Sequence, residues 1–109
     1  MPPPITNLFL PAAGEQPGET FHTLLQAARV RIEQIVSRGQ ASPPGFWYDQ
    51  DDPEWVALLC GQAILAFDDG DQPLQAGDAL LIPAHCRHRV ASCSDDAVWL
   101  AVHFRDAAE

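Results

Sequence analysis

The chain has 109 residues, of which 47% are hydrophobic and 19% are charged, and its formal net charge is −9. This length fits one compact domain and leaves no room for a second, and the composition is that of a folded globular protein rather than a disordered one. The negative charge repels a phosphate backbone and therefore argues against nucleic acid as a partner.

The N-terminal segment, residues 1–28, is predicted to be an irregular arm followed by a short helix. The arm is interrupted by Pro2, Pro3, Pro4, Pro11 and Pro17 around the apolar patch Asn7-Leu8-Phe9-Leu10. We expect such an arm to pack across its own domain or onto a partner subunit. One or two helical turns should follow Gly18, because apolar residues recur there at helical spacing: Phe21, Leu24, Leu25 and Ala28.

Residues 29–106 are predicted to form an all-β domain, because the pattern changes at residue 29 to the two-residue period of a strand. Alternate residues from Val30 to Val36 share one face, while Arg31, Glu33 and Ile35 lie on the other. Five further short strands are expected between turns rich in Gly, Asp and Pro, at residues 55–59, 63–67, 79–82, 88–91 and 98–104. Many short strands with little helix indicate a sandwich or a barrel.

Two of these strands are apolar on both faces. Residues 55–59 read Trp-Val-Ala-Leu-Leu, and residues 99–102 read Trp-Leu-Ala-Val. A strand with one face in water would alternate, so both faces should be covered, one by the opposing sheet and the other by the arm or by another subunit. This pattern favours a homodimer.

The sequence also bears on location. No stretch approaches the roughly 18 consecutive apolar residues that a membrane span needs, and the N-terminus lacks the features of a signal peptide. Cys60, Cys86 and Cys93 cannot all pair within the chain and form no Cys-x-x-Cys motif. We therefore expect a cytoplasmic protein, without a membrane partner, whose cysteines are packing residues.

A glycine, a proline and a histidine at fixed spacing carry a family resemblance. Gly77 is followed after five residues by Pro83, after one more by His85, and after two more by His88. This resembles the second motif of cupins, which reads Gly, five residues, Pro, one residue, Gly, two residues, His. His85 stands where the family usually has glycine.

The first cupin motif is matched in part. It usually reads His-x-His, three or four residues, Glu, six residues, Gly, and Glu54 with Gly61 fits its second half. Depending on the spacing variant, the places of the two histidines are taken by Trp47 and Asp49 or by Tyr48 and Gln50. The resemblance implies a cupin double-stranded β-helix, a jelly-roll barrel of six to eight strands.

In metal-binding cupins the histidines and the glutamate of the two motifs converge inside the barrel. The resemblance therefore implies Glu54 and His88 as metal ligands, with His85 or His103 to complete the site around zinc, iron, manganese or nickel. The ordinary alternatives are that His85 is a solvent-facing turn residue and His103 a core histidine. Tyr48 is a candidate catalytic proton donor or a wall of the pocket.

The resemblance leaves three functions open. Cupins include dioxygenases and isomerases that act on small polar molecules, which implies a metal-dependent enzyme in which Arg31 or Arg87 holds a substrate carboxylate. The missing His-x-His favours instead a non-catalytic barrel that binds or senses a small ligand or a metal. A metal-free isomerase or epimerase would pair His88 with Glu54 for acid–base chemistry. The sequence does not decide whether the protein is an enzyme.

Overall fold

The computed structural model describes residues 2–9 and 19–105. Within these ranges the chain forms eight strands and no helix: β1 (Thr20–Gln26), β2 (Val30–Val36), β3 (Glu54–Cys60), β4 (Gln62–Phe67), β5 (Gly70–Gln75), β6 (Ala79–Ile82), β7 (His88–Cys93) and β8 (Val98–Phe104). The all-β prediction is confirmed. The described residues also include no helix that could cross a membrane.

The strands form two antiparallel sheets that pack face to face. The larger sheet has the order β1-β2-β8-β3-β6, and the smaller has the order β5-β4-β7. The core between them is aliphatic apart from one tryptophan, and both sheets contribute to it: Val56, Leu58, Ala63, Leu65, Leu74, Ile82, Ala97, Trp99 and Ala101. Burial of these side chains is the main force that holds the two sheets together.

The predicted helical turn after Gly18 is wrong, because this segment is strand β1. It pairs along its length with β2, and the register shifts between Thr23 and Leu25. Such a bulge adds one residue to the strand and breaks the two-residue period, so that the apolar residues acquire the spacing of a helix. The segment forms a strand because its pairing with β2 outweighs the local helical pattern.

Strand β5 was not predicted, since its sequence is polar and contains Pro73. It lies at the edge of the smaller sheet and pairs only with β4 among the described strands. An edge position tolerates proline because the missing N–H need not pair with a second neighbour.

The long connection between β2 and β3 runs along β7. The backbone N–H of Ser42 donates to the carbonyl of Val90, and Tyr48 and His88 exchange two backbone hydrogen bonds of 2.7 and 3.1 Å. The Arg89 guanidinium also donates to the carbonyl of Ser42 at 2.8 Å. These contacts fix the segment that carries the first-motif positions beside the strand that begins with His88.

Candidate active site

Strand register brings ionisable side chains together on the inner face of the larger sheet. Arg31 on β2 lies opposite His103 on β8, which lies opposite Glu54 on β3. Glu33 is two residues further along β2 and therefore on the same face. The sheet thus places two acids, a histidine and an arginine side by side, facing the smaller sheet.

These side chains line a cavity of about 260 Å³ between the two sheets. Its wall is apolar where it borders the core. It is polar where it is formed by Arg31, Glu33, Glu54 and His103, which we call the ionisable row. The lining residues are Glu19, Phe21, Arg31, Glu33, Ile35, Tyr48, Gln50, Glu54, Val56, Leu65, Ile82, His88, Val90, Trp99 and His103. A concave, mostly apolar pocket with a few convergent polar groups is the usual form of a small-molecule site.

Glu54 is the most perturbed acid in this cavity. It is buried at 7% exposure, and its pKa is raised from 4.5 to about 7. The main cause is burial, which penalises the charged carboxylate; the negative charge of Glu33 adds to it, and Arg31 opposes it. Glu54 is therefore divided between its acid and carboxylate forms near neutral pH.

His103 lies between the two acids. Its Nε2 atom is 3.3 Å from Glu33 Oε1 and 4.0 Å from Glu54 Oε2. Burial lowers the pKa of His103 and nearby Arg31 lowers it further, against the opposing effect of Glu33. The ring is therefore neutral near pH 7.

His88 approaches Glu54 from the opposite sheet. Its Nδ1 atom is 3.0 Å from the carbonyl oxygen of Cys86. Because a carbonyl only accepts hydrogen bonds, Nδ1 carries the hydrogen of this contact, and Nε2 is the ring nitrogen that faces Glu54. Nε2 is 3.8 Å from Glu54 Oε1, too far for a direct hydrogen bond. Both groups therefore remain available to a ligand in the cavity.

Tyr48 covers one side of His88. The two rings stack at a centroid distance of 5.3 Å, and Phe46 packs edge-on against the tyrosine at 4.9 Å. Burial raises the pKa of Tyr48, with smaller contributions from Glu19 and Glu54, so its hydroxyl group keeps its proton. A tyrosine held in this way can donate a hydrogen bond into the cavity.

The structure also shows which of the two spacing variants of the first motif has its residues in the cavity. Tyr48 and Gln50 line the cavity, whereas Trp47 and Asp49 do not. Trp47 packs under the guanidinium of Arg87 at 4.9 Å, outside the cavity lining. Of the two arginines suggested as substrate clamps, Arg31 therefore lies in the cavity wall and Arg87 does not.

His85 lies outside the cavity. Its side chain is 63% exposed, with Nδ1 2.8 Å from Asp49 and Nε2 3.5 Å from Asp51. Its φ angle is 60°, in the left-handed region that favours glycine. This conformation explains why glycine is usual at this position in the motif, and the two aspartates hold the ring that replaces it.

As placed, the donors in the cavity do not fit a resident divalent ion. Among the described residues no group of three or more His, Cys, Asp and Glu side chains is arranged to hold one. Catalytic zinc sites use three protein ligands, and here Tyr48 and Gln50 stand at the two histidine positions. Arg31 already places a positive charge by the acids, with Nε 3.3 Å from Glu33. Metal ligation by Glu54, His88, His85 or His103 stays a prediction.

Sequence reasoning missed Glu33 and Glu19 as cavity residues. Glu33 had a usable signal, since it shares a strand face with Arg31 and Ile35 while the other face of that strand is uncharged. A strand face with charged residues is compatible with lining a polar pocket as well as with exposure to solvent. Glu19 had no such signal; its carboxylate accepts a hydrogen bond of 3.0 Å from the buried Ser37 hydroxyl.

Comparison with known proteins identifies the family. A family model described as a cupin domain matches residues 33–103. A proposed mannose-6-phosphate isomerase of Ralstonia eutropha JMP134 is 44% identical over 95% of this chain and 100% of its own, with a TM-score of 0.88. No curated protein matches the chain.

Two more distant structures share the fold. A cupin superfamily protein of Desulfitobacterium hafniense DCB-2 is 22% identical over 86% of this chain and 84% of its own, with a TM-score of 0.74. A sugar phosphate isomerase of Silicibacter pomeroyi DSS-3, from a cupin superfamily, is 22% identical over 82% of this chain and 60% of its own, with a TM-score of 0.66. The family match spans more than half of the chain, and the two spaced motifs fall within it, so the chain belongs to the cupin family.

Proposed function

We propose that this protein is an isomerase that moves a proton between neighbouring carbons of a small polyhydroxylated carbonyl compound, with Glu54 as general base. The observation that carries the proposal is the Glu54 carboxyl group, buried in the cavity with a pKa of about 7. A base whose pKa is near the working pH is both ionised often enough and basic enough to remove a proton.

The reaction needs no co-reactant. Ionised Glu54 removes a proton from the hydroxyl-bearing carbon beside the carbonyl, the electrons of the C–H bond form the C=C bond of an enediol, and the carbonyl oxygen gains a proton. Glu54 then returns its proton to the former carbonyl carbon, while the neighbouring hydroxyl group loses its proton and becomes the new carbonyl. No atom is gained or lost, and an aldose and a ketose interconvert.

Three neighbouring side chains suit the proton transfers at oxygen. Tyr48 lines the cavity and keeps its proton, which supports a role as hydrogen-bond donor to the carbonyl oxygen. The Nε2 atoms of His88 and His103 approach the Glu54 carboxylate oxygens from two sides, at 3.8 and 4.0 Å. An imidazole nitrogen can take a proton from one oxygen and pass it to the next, which suits transfer between two neighbouring oxygens.

Arg31 suggests the substrate class. Its guanidinium lies in the cavity wall, and an arginine binds a carboxylate or phosphate through paired hydrogen bonds. The likeness to a proposed mannose-6-phosphate isomerase supports sugar phosphates as the first compounds to test.

The test is hydrogen exchange between substrate and solvent. Protein freed of metal by chelation is incubated with a panel of sugar phosphates in D₂O, and deuterium at the carbon beside the carbonyl is followed by NMR. We expect Glu54→Gln to lower the exchange rate at least about 100-fold. Asp69→Asn, which changes an exposed turn acid, is the matched control and should keep the wild-type rate.

The pH profile gives a second readout. We expect kcat/KM to rise with pH up to about 7 as Glu54 ionises. Glu33→Gln removes the neighbouring negative charge, so it should lower the pKa of Glu54 and move this rise to lower pH. Wild-type exchange rates in Glu54→Gln would contradict the proposal.

A metal-dependent dioxygenase or isomerase is the alternative that the family resemblance implies. It would require Glu54, His88 and His103 to turn toward one ion. Elemental analysis of protein purified without chelator or affinity metal separates the two. Near-stoichiometric metal that Glu54→Gln and His88→Ala both lose, together with activity that chelation abolishes, would replace the acid–base proposal.

A non-catalytic barrel is the other alternative. Calorimetric binding of a sugar phosphate that Arg31→Gln abolishes, without deuterium exchange in any compound of the panel, would favour a binding or sensing role over an enzyme. The cavity and Arg31 would then serve recognition alone.

We also propose a cytoplasmic location. Cys60, Cys86 and Cys93 are unpaired and partly buried, as packing cysteines are in a reducing compartment. Fractionation of cells that express the full chain tests this.

A further inference from the structure

The connection between β2 and β3 places two residues in the cavity wall without a strand of its own. Residues 37–53 belong to no strand, yet Tyr48 and Gln50 line the cavity. Tyr48 forms a backbone bridge with His88, whereas Gln50 belongs to no such bridge. A segment that lacks the hydrogen-bonded neighbours of a strand is held by fewer contacts and moves more easily. The positions of both cavity side chains therefore depend on what holds residues 48–51.

His85 holds this segment from outside the cavity. It lies in the turn between β6 and β7, and its backbone N–H donates to the carbonyl oxygen of Gln50 at 2.8 Å. Its ring nitrogens Nδ1 and Nε2 lie 2.8 Å from Asp49 Oδ1 and 3.5 Å from Asp51 Oδ1. Gln50 is thus held through its own backbone and through the residue on either side. In an extended chain neighbouring side chains point in opposite directions, so Gln50 turns inward where Asp49 and Asp51 turn outward.

The same turn also holds the residues on both sides of Tyr48. The Arg87 guanidinium lies 4.9 Å from the centre of the Trp47 ring, and His85 contacts Asp49. Tyr48 stacks on His88, the first residue after this turn, at 5.3 Å. Contacts to one short stretch of chain therefore fix the ring of Tyr48 and both of its neighbours.

Stability alone gives no reason for a histidine at position 85. Its φ angle of 60° lies in the left-handed region, which costs a residue with a Cβ atom more than glycine. The side chains of His85 and Asp49 are 63% and 52% exposed, and exposed ion pairs contribute little to stability. A strained residue with little stabilising effect points to a role in positioning its neighbours.

We propose that His85 is a positioning residue that fixes Gln50 and Tyr48 in the cavity wall. The inference rests on the proposed function, in which Tyr48 donates a hydrogen bond to the substrate carbonyl. The Gln50 amide both donates and accepts hydrogen bonds, which suits a substrate hydroxyl group. Without the His85 ring, the Asp49 and Asp51 carboxylates lose their common partner and repel each other, so the segment between them loses its fixed position.

The test uses Tyr48, the one tyrosine of the chain, as a reporter. Isotope-labelled tyrosine gives one set of ring signals by NMR, and the rings of Phe46 and His88 displace these signals from the values of a free tyrosine. His85→Gly keeps the left-handed backbone and removes the ring, so we expect it to lose most of this displacement. His85→Asn should restore it, because asparagine tolerates this conformation and its amide can donate to Asp49.

Deuterium exchange into the substrate gives a second readout. We expect His85→Gly to lower kcat/KM about tenfold, partly through a higher KM as Gln50 is displaced, and His85→Asn to recover it. Arg105→Gln is the matched control. It breaks another exposed ion pair of the same connection, in which Arg105 Nε lies 3.0 Å from Asp52 Oδ1, and it should leave the Tyr48 signals and the exchange rate unchanged.

Circular dichroism checks that each variant is folded, and Asp49→Ala removes the same 2.8 Å contact if His85→Gly fails to fold. Unchanged Tyr48 signals in a folded His85→Gly would overturn the proposal. Equal changes in His85→Gly and Arg105→Gln would also overturn it, since they would show a general loosening of the connection. Displaced signals that His85→Asn restores, without deuterium exchange even in the wild type, would support the positioning role and contradict the isomerase alone.

Discussion

Glu54 shows how strand register sets the chemistry of one residue. The cross-strand row Arg31, His103 and Glu54 faces the cavity, and the row one residue further along each strand, Ile32, Val102 and Trp55, faces outward. The same three strands therefore supply an ionisable surface and an apolar one. Burial and the negative charge of Glu33 then raise the pKa of the Glu54 carboxyl group to about 7. A residue that strand register places in the cavity can therefore exchange a proton near neutral pH.

We predict that Glu54 lowers the stability of the folded protein as the pH rises. The folded pKa of about 7 lies above the ordinary value of 4.5, so the folded state holds its proton while the unfolded state loses it. Stability should fall between about pH 4.5 and 7 by about 3 kcal/mol and stay constant above this range. Glu54→Gln should remove this slope and be more stable than wild type at pH 8, measured by urea unfolding. Equal slopes in both proteins would contradict the pKa shift.

At the scale of elements, the hairpin between β3 and β4 depends on a close approach at Gly61. Its φ angle is 85°, and a Cβ atom there would lie 2.3 Å from Ser94 Oγ and 3.1 Å from Ala97 Cα. The glycine of the first motif is therefore required both for backbone conformation and for packing of the hairpin onto the turn before β8. The backbone N–H of Gln62 donates to the same Ser94 hydroxyl at 2.9 Å.

We predict that Gly61→Ala destabilises the protein by about 2–4 kcal/mol, since a left-handed alanine and an overpacked contact each cost about 1–2 kcal/mol. Gly45→Ala is the control, because Gly45 has a φ of 81° but no atom within 4 Å of an added Cβ. It should show the conformational cost alone. Equal losses for the two variants, measured by chemical denaturation, would mean that the packing contact contributes nothing.

At the scale of the whole molecule, charge is sorted by location. Exposed acids cluster in the turns, among them Asp51, Asp68, Asp69, Asp95 and Asp96. The outer face of the larger sheet is uncharged, and the ionisable row is enclosed in the cavity. The net charge of −9 therefore lies mainly where water and salt can screen it.

We predict that salt stabilises the folded protein at pH 8. Raising NaCl from about 0.01 to 0.5 M shortens the Debye length from about 30 Å to a few Å and weakens the repulsion between acidic turns. A gain of about 1 kcal/mol corresponds to a rise in Tm of several degrees for a domain of this size. Calorimetry at pH 8 and pH 4 tests this, since partial protonation of the carboxylates at pH 4 should reduce the gain. An equal rise at both pH values would point to a general salt effect.

Much of the fold was predictable from local sequence. Six of the eight strands were located by alternation and turn residues, including Ala79–Ile82 and Val98–Phe104 at their observed bounds. The family motifs identified Glu54 and His88, which both line the cavity. These features are predictable because period-two patterns and fixed spacings are properties of short stretches of chain.

The rest depended on contacts between distant strands. The bulge in β1 gave its apolar residues the spacing of a helix, so the sequence predicted a helix there. Pairing with β2 makes this segment a strand. The sequence placed Glu33, His88 and His103 on predicted strands and Glu54 directly before one. That all four line one cavity, that His85 turns away to Asp49, and that Glu54 holds a pKa near 7 came from tertiary structure alone. The physical reason is that burial and charge interactions depend on distances across the sheets, and sequence spacing within a strand does not specify them.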